Sequence, residues 1–339
     1  MIDFTNAKEK NKGYAGANGS KICIVHDGEQ YMLKFPSLAQ KNDDMSYSNS
    51  VISEYLACHI FNSISIPVQE TVLGTYNLKG KEKMVVACKD FATKGWVIQD
   101  FASLKNRVID SERQGHGTDL YSILETIEEQ KIMDSTELKK FFWDIFIGDA
   151  LIGNWDRHNG NWGFLYNEMT DEIKLAPVWD CGSSLYPQAD EDLMKTILSN
   201  DGEKNHRIYN IPTSALKIND KRINYFDFIS SGINEDCTEA LKRIAPRIDL
   251  EKINQIVQNI ECIHPIQKEF YQTMIRERKE KIIDQSLKII ERENRNQDHS
   301  LTKHATEGKT LAERKTKAKH QGQILRNQAG NKGTKDIER

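Results

Sequence analysis

The apolar residues of this chain change rhythm near position 90, and the change divides the sequence. Before it, short strand-like runs dominate. Lys21-Ile-Cys-Ile-Val and Tyr31-Met-Leu-Lys-Phe, joined by the turn Asp27-Gly28, predict a β-hairpin behind a glycine-punctuated turn that begins at Gly13. A single helix is predicted here, over 49–63, with Ile52, Tyr55, Leu56, His59 and Ile60 on one face. Two more strands are predicted over 71–76 and 83–89 (Lys-Met-Val-Val-Ala-Cys-Lys). Residues 1–90 thus read as a small sheet-plus-helix unit.

After position 90 the period becomes helical. A helix is expected over 118–130, and Asp134-Ser-Thr-Glu137 offers a capping box ahead of the stripe Leu138, Phe141, Phe142, Ile145 and Phe146. The stretch 151–182 follows: a loop rich in Gly and Asn, then two short apolar runs around a turn at 167–171, then Trp-Asp-Cys-Gly. Helices over 236–245, 250–262 and 265–294 complete this part, the last carrying Phe270, Met274, Ile282, Ile283, Leu287 and Ile290. Beyond Arg295 apolar residues almost vanish, which predicts a disordered basic tail over 296–339. The second domain is therefore expected over 91–295, and no repeat of solenoid period is present.

Composition narrows the class. With 38% hydrophobic and 29% charged residues the chain fits a globular protein, and 339 residues suffice for two cores. The net charge of −3 conceals a tail of twelve Lys/Arg against seven Asp/Glu from Glu291 onward, so the rest is acidic and is not a nucleic-acid binder by charge. The basic run from Glu313 to His320 reads first as a solvated tail, with a localisation, lipid-headgroup or nucleic-acid patch as the alternatives. Six scattered cysteines without a Cys-x-x-Cys pair argue against a disulfide scaffold or zinc module and read as reduced thiols. No apolar run reaches membrane-spanning length, and Met-Ile-Asp-Phe-Thr-Asn lacks a signal-peptide pattern. Cytosolic synthesis is expected, with signal-independent export left open.

The candidate chemistry centres on 151–182. Asp156 and Asn161 lie five apart on the loop, and Asp180 lies across the hairpin. Phosphoryl transfer with Mg-ATP asks for such a set: one carboxylate to orient or deprotonate a hydroxyl, and two hard oxygen ligands for the metal. The spacing alone carries little, because Asp44/Asn49, Asp149/Asn154 and Asp249/Asn254 share it. The hairpin adds the force, since it returns the chain to its start and brings Asp180 back to the loop. Asp149, on the apolar stripe of the preceding helix, reads as a buried hydrogen-bonding support. His158 has three readings: contact with phosphates, support of the loop, or satisfaction of backbone carbonyls.

The first unit supplies the rest. Gly13-Tyr-Ala-Gly-Ala-Asn-Gly-Ser-Lys21 matches neither the Walker A pattern nor the dinucleotide fingerprint and precedes a strand, so it reads either as a loop covering phosphates or as a plain turn. Lys34, inside an apolar strand, is the candidate phosphate-binding lysine, with Glu54 of the next helix as its ion-pair partner; an edge lysine in water is the alternative. Ala87, Cys88 and Lys89, where an apolar strand leaves the unit, are the candidate hinge for adenine.

Taken together, GYAGANGSK, YMLKFP, SEYLACHI, VVACKDF, GNWDRHNGNWGFL, WDCGSSLYPQAD, INYFDF and the segment around KEFYQTMIRERKEKIID resemble the HipA-like serine/threonine kinases over most of residues 1–290. The resemblance implies an α+β, two-lobed, protein-kinase-like fold, with a small β-rich N-lobe and a large, mainly helical C-lobe. ATP and Mg²⁺ would lie between the lobes. It implies Asp156 as catalytic aspartate, Lys34 as phosphate-binding lysine, and Asn161 and Asp180 as metal ligands. It also implies Ala15, Gly16, Ala17, Asn18, Gly19, Ser20 and Lys21 as the phosphate loop, with His158 beside the nucleotide. The expected activity is autophosphorylation and transfer to a protein target, a host protein if the chain is translocated into host cells. Because the glycine loop begins almost at once, the regulator-binding N-terminal extension of toxin-type relatives is not expected here, and Gly13-Tyr14 stands where some relatives carry a phosphorylated serine. Two rivals remain: a phosphoinositide or small-alcohol kinase, because Asp-Arg-His-x-x-Asn also resembles that catalytic loop, and an effector acting by binding a partner.

Overall fold

The computed structural model describes residues 1–14, 21–36, 48–109 and 114–305, with side chains as far as 296. Strands β1 (Ile2–Asp3), β2 (Lys8–Lys10), β3 (Lys21–His26) and β4 (Glu29–Lys34) precede helix α1 (Ser50–Ser63), and β5 (Thr71–Leu78) and β6 (Lys81–Lys89) follow it. Together they form one sheet in the order β1-β5-β6-β4-β3-β2. The β3–β4 hairpin turns at Asp27-Gly28, both with positive φ, as its two-residue turn requires. One face of the sheet buries Phe4, Ile24, Leu33, Phe35, Tyr76, Val85 and Ala87 as a common core.

Helices take over next: β7 (Trp96–Asp100), α2 (Phe101–Ile109), α3 (Leu120–Glu129), α4 (Ser135–Ile152), β8 (Gly163–Asn167) and β9 (Glu172–Leu175). They lead to α5 (Glu191–Ser199), α6 (Asp201–Tyr209), the hairpin β10 (Lys217–Ile218) and β11 (Lys221–Arg222), α7 (Tyr225–Ser230), α8 (Glu235–Ile244) and α9 (Leu250–Gln258). The series ends with α10 (Pro265–Arg278), a π-turn (Lys279–Asp284) and α11 (Gln285–Ala305). Every residue of α4 from Phe141 to Ile152 is buried, as expected of a helix at the centre of a bundle. Asp134 caps its start by accepting from the Glu137 N–H at 2.8 Å, and Gly153, in the left-handed region, ends it.

Helix α1 belongs to the first lobe by sequence but is tied to the second at both ends. Its cap residue Asn49 donates through its backbone to the Pro187 carbonyl (3.1 Å) and through its amide to the Ala189 carbonyl (2.6 Å). Past its other end, Gln69 N–H donates to the Val178 carbonyl and Val178 N–H to the Pro67 carbonyl, both at 2.9 Å. Between them, Gly148 of α4 lets Phe61 approach so closely that a Cβ there would lie 2.8 Å from its ring. The side chain that matters, Glu54, is thereby fixed from the C-lobe.

The chain divides into two compact units, Met1–Leu287 and Lys288–Arg339, and everything below lies in the first. The disordered tail expected over 296–339 falls outside the described side chains; the backbone as far as Ala305 is helical. Several short elements carried no periodic signal. Only Ile208 is buried in α6, for example. The helix expected over 265–294 is continuous, with a π-helical turn at Lys279–Asp284 in which the adjacent Ile282 and Ile283 are both buried. Among the described residues no helix is long and apolar enough to cross a membrane. The cysteines are free thiols, five of them buried.

Candidate active site

The β3–β4 hairpin brings Lys34 up to helix α1 and to the segment that carries Asp180. Its ammonium donates to Glu54 Oε2 at 2.9 Å and to Asp180 Oδ1 at 2.8 Å. Burial works against that ammonium, yet Asp180 and Glu54 outweigh it and push its pKa well above the usual lysine range. Asp180 responds in the opposite sense: the Lys34 ammonium holds its carboxyl well below the usual carboxylate range, against the opposing effect of burial. Its side chain is nevertheless 42% exposed, and its backbone sits at φ 58°, a left-handed conformation that costs a non-glycine residue energy. Glu54 Oε1 is buried with no hydrogen-bond partner among the described residues.

Lys21 lies directly across the hairpin from Lys34, so both side chains share one face. Burial lowers the Lys21 pKa, while the nearby Asp180 carboxylate opposes the shift. Two cations thus converge on one carboxylate. Ala15, Gly16, Ala17, Asn18, Gly19 and Ser20 lie outside the described residues.

The loop after α4 is held by a residue that the sequence reading did not single out. Arg157 is buried, and its guanidinium bonds both carboxylate oxygens of Asp149 (3.0 and 3.2 Å). It also donates to the carbonyls of Asn161 (3.1 Å) and Trp179 (2.5 Å) and to Cys181 Sγ (3.2 Å). One side chain therefore joins helix α4, the Asp156 loop and the segment that carries Asp180. Asp149 fills the supporting role read for it, and it also accepts from Asn154 at 3.0 Å. Asn154 in turn accepts from the Asp156 N–H at 3.0 Å. Asn159, also unpredicted, reaches the Gly115 and Gly117 carbonyls at 2.7 and 2.9 Å. No periodic or spacing signal marks these partners.

Asp156 itself is half-buried. Burial raises its pKa, Asp180 adds to the rise, and His158, Arg222 and Arg157 oppose it. Asn161 donates its amide to the Asp156 carbonyl at 3.0 Å, which leaves its side-chain oxygen for another ligand. His158 accepts from the Gly160 N–H through Nδ1 at 3.0 Å, so the neutral ring carries its proton on Nε2.

The hinge expectation needs correction. Ala87 and Cys88 lie in a central strand, paired to Leu33 and Met32 on one side and to Val72 and Thr71 on the other. Lys89 N–H donates to the Glu70 carbonyl (2.8 Å), and its carbonyl accepts from Gln69 (2.9 Å). The sheet has taken up the backbone groups that adenine would need. Phe91 is the first residue past β6 whose N–H and C=O bond nothing among the described residues, and its ring faces Trp179 at 6.0 Å.

The fit of a magnesium ion rests on the donor set. Asn161 and Asp180 offer hard oxygens, the Asp180 carboxyl stays ionised, and the described residues hold no cluster of three or more His, Cys, Asp or Glu that would cage a metal. Magnesium characteristically takes one or two protein oxygens together with phosphate and water, so the residues fit it.

Comparison with known proteins gives the family and the fold. Residues 13–260 match the family model of the HipA-like C-terminal domain. The chain is 51% identical over 285 residues to the serine/threonine-protein kinase CtkA of Helicobacter pylori, covering 84% of this chain and 86% of that protein. The crystal structure of the Helicobacter pylori proinflammatory kinase CtkA superposes with a TM-score of 0.81 at 50% identity, over 86% of this chain and 98% of that one. HipA from a Shewanella oneidensis toxin–antitoxin complex with HipB and operator DNA gives a TM-score of 0.51 at 14% identity, over 82% and 68% of the chains, a likeness of fold alone.

Proposed function

Because the chain belongs to the family of the HipA-like C-terminal domain, we propose that it is a serine/threonine protein kinase that uses Mg-ATP to phosphorylate itself and a protein target. The observation that carries this reading is Lys34 held between Glu54 and Asp180, with the Asp156 loop pinned to the Asp180 segment through Arg157. Lys34 and Lys21 neutralise the phosphates. Asn161 and Asp180 would hold magnesium, which when bound would neutralise charge on the transferring group. Adenine is taken by the chain just past β6, at Phe91. Asp156 receives the proton of the acceptor hydroxyl as that oxygen bonds the γ-phosphorus. The bond from the γ-phosphorus to the β–γ bridging oxygen breaks, and ADP leaves with the electron pair. His158, with its proton on Nε2, is placed to donate to a phosphate oxygen.

Incubation with γ-labelled ATP, protein acceptors and phosphoinositide vesicles, followed by mapping of the phosphosites, tests the proposal. Label is expected on serine or threonine, and Asp156→Ala should lower transfer by about 10²–10⁴ without lowering the melting temperature. Undiminished transfer by the folded variant, or label confined to lipid, overturns it.

A further inference from the structure

The small β10–β11 hairpin pairs Lys217 with Arg222 and Ile218 with Lys221. Residues directly opposite on antiparallel strands project from the same face, and like charges placed so repel each other. The nucleotide side of the site has the same arrangement in Lys21 and Lys34, where Glu54 and Asp180 relieve it. At β10–β11 no ion pair among the described residues does, and the Asp156 carboxylate acts on Arg222 only from beyond ion-pair distance. Among the described residues no carboxylate stands within ion-pair distance of Lys217, Lys221 or Arg222. Asp119, bridged to Lys217 through the backbone, has its carboxylate on the N-cap of α3, accepting from Ser122 N–H at 3.0 Å. Asp220, in the turn, makes no ion pair either.

The uncompensated charge is rigidly mounted and close to the chemistry. Arg222 Nε donates to the Ser214 carbonyl at 2.8 Å, and a terminal nitrogen donates to the carbonyl of Trp155, the residue before Asp156. Its guanidinium stands 5.9 Å from the centre of the Trp155 ring. Ser214 N–H to Ile223 O and Ile223 N–H to Leu216 O, both 2.9 Å, close the stem, and Lys217 N–H to Thr118 O at 2.8 Å anchors it to the segment before α3. Tyr225, just beyond the hairpin, bonds the Asn154 carbonyl at 2.5 Å, so loop and hairpin share a foundation. Arg222 is also one of the charges that oppose the upward push on the Asp156 carboxyl.

Nucleotide phosphates have their cations in Lys34 and Lys21, in the sheet. The hairpin belongs to the helical lobe and lies along the loop that presents Asp156 to the acceptor. An anion that offsets it therefore arrives with the acceptor. A guanidinium and an ammonium group on one face suit a carboxylate, and Arg222 keeps donors beyond the two it has spent. We propose that Lys217 and Arg222 form an acceptor platform that selects polypeptides carrying aspartate or glutamate close to the phosphorylated serine or threonine. The inference rests on the kinase reading above.

The test is a set of serine peptides with Asp, Asn or Lys at each flanking position, assayed for kcat/KM with γ-labelled ATP beside autophosphorylation. The wild-type protein is expected to favour Asp over Asn by about tenfold at one or two positions, with the preference shrinking as salt rises. Lys217→Glu combined with Arg222→Glu should invert the ranking towards Lys peptides, an effect that simple loss of structure does not produce. Lys217→Glu alone, which keeps the Arg222 bond to the Trp155 carbonyl, should shift the ranking the same way even if the double variant folds poorly. Transfer indifferent to flanking charge, or an equal loss on all peptides in the variants, overturns the inference and leaves the kinase reading standing. No transfer to any peptide or to the protein itself overturns both.

Discussion

At the scale of single residues, the site is a set of charges that hold one another in place. Glu54 is 1% exposed and faces Lys34, so removing the lysine strands a buried carboxylate. Lys34→Met should cost about 3–5 kcal/mol of stability, and adding Glu54→Leu should restore most of it without restoring transfer; denaturant titration and label incorporation separate the two effects. The two aspartates should answer pH in opposite directions. The raised Asp156 pKa means that the folded state holds that proton more tightly than the unfolded chain. Its ionisation therefore weakens the fold as pH rises through the raised value. Asp156→Asn should accordingly raise the melting temperature at neutral pH while abolishing transfer, and wild-type kcat should fall on the acid side at a pH above the ordinary aspartate range. Asp180 has a depressed pKa, so its contribution is present at neutral pH and lost only as pH falls through that low value. Asp180→Asn should lower the melting temperature at neutral pH. The pairing of Lys34 with Glu54 and the return of Asp180 towards Asp156 were legible in the sequence, from a lysine inside an apolar strand and a hairpin that leads the chain back. Arg157 was not: it bonds groups on three separate segments, and its side chain has no periodic partner.

At the scale of elements, strand and helix periods located β3, β4, α1, β5, β6 and α4 to within a few residues. They failed for α5, α6 and α7, which are short and bury few side chains. The hinge was misplaced for a related reason. An apolar run marks a strand, but it does not say that neighbours pair with that strand on both sides up to Lys89. The seam between α1 and α4 was equally hidden, since a glycine in a helix announces neither its neighbour nor its purpose. Gly148→Leu would drive side-chain atoms into Phe61 and Ile66, whose nearest atoms already stand 2.8–2.9 Å from a Cβ position. A loss of about 1–3 kcal/mol is expected, together with a raised KM for ATP, because Glu54 rides on the displaced helix. A variant that is destabilised with KM unchanged would show that α1 tolerates movement.

At the scale of the whole molecule, the division into a sheet-rich and a helical part was visible as a change of period, and the fold agrees with it. The sequence did not reveal how firmly the two parts are joined. Asn49 at one end of α1 and Pro67 and Gln69 beyond the other are bonded into the helical part, with Gly148 and Phe61 closing the middle. That seam has a pharmacological consequence. Small molecules that inhibit kinases by prying this helix outward must find a pocket behind it. Here such a pocket would open only by breaking backbone hydrogen bonds at both ends and the packed centre at once. Adenine-site ligands should raise the melting temperature, whereas helix-displacing compounds should leave it unchanged at the same concentration. Selectivity for this protein is therefore to be sought at the nucleotide mouth and along the acceptor face, not behind α1.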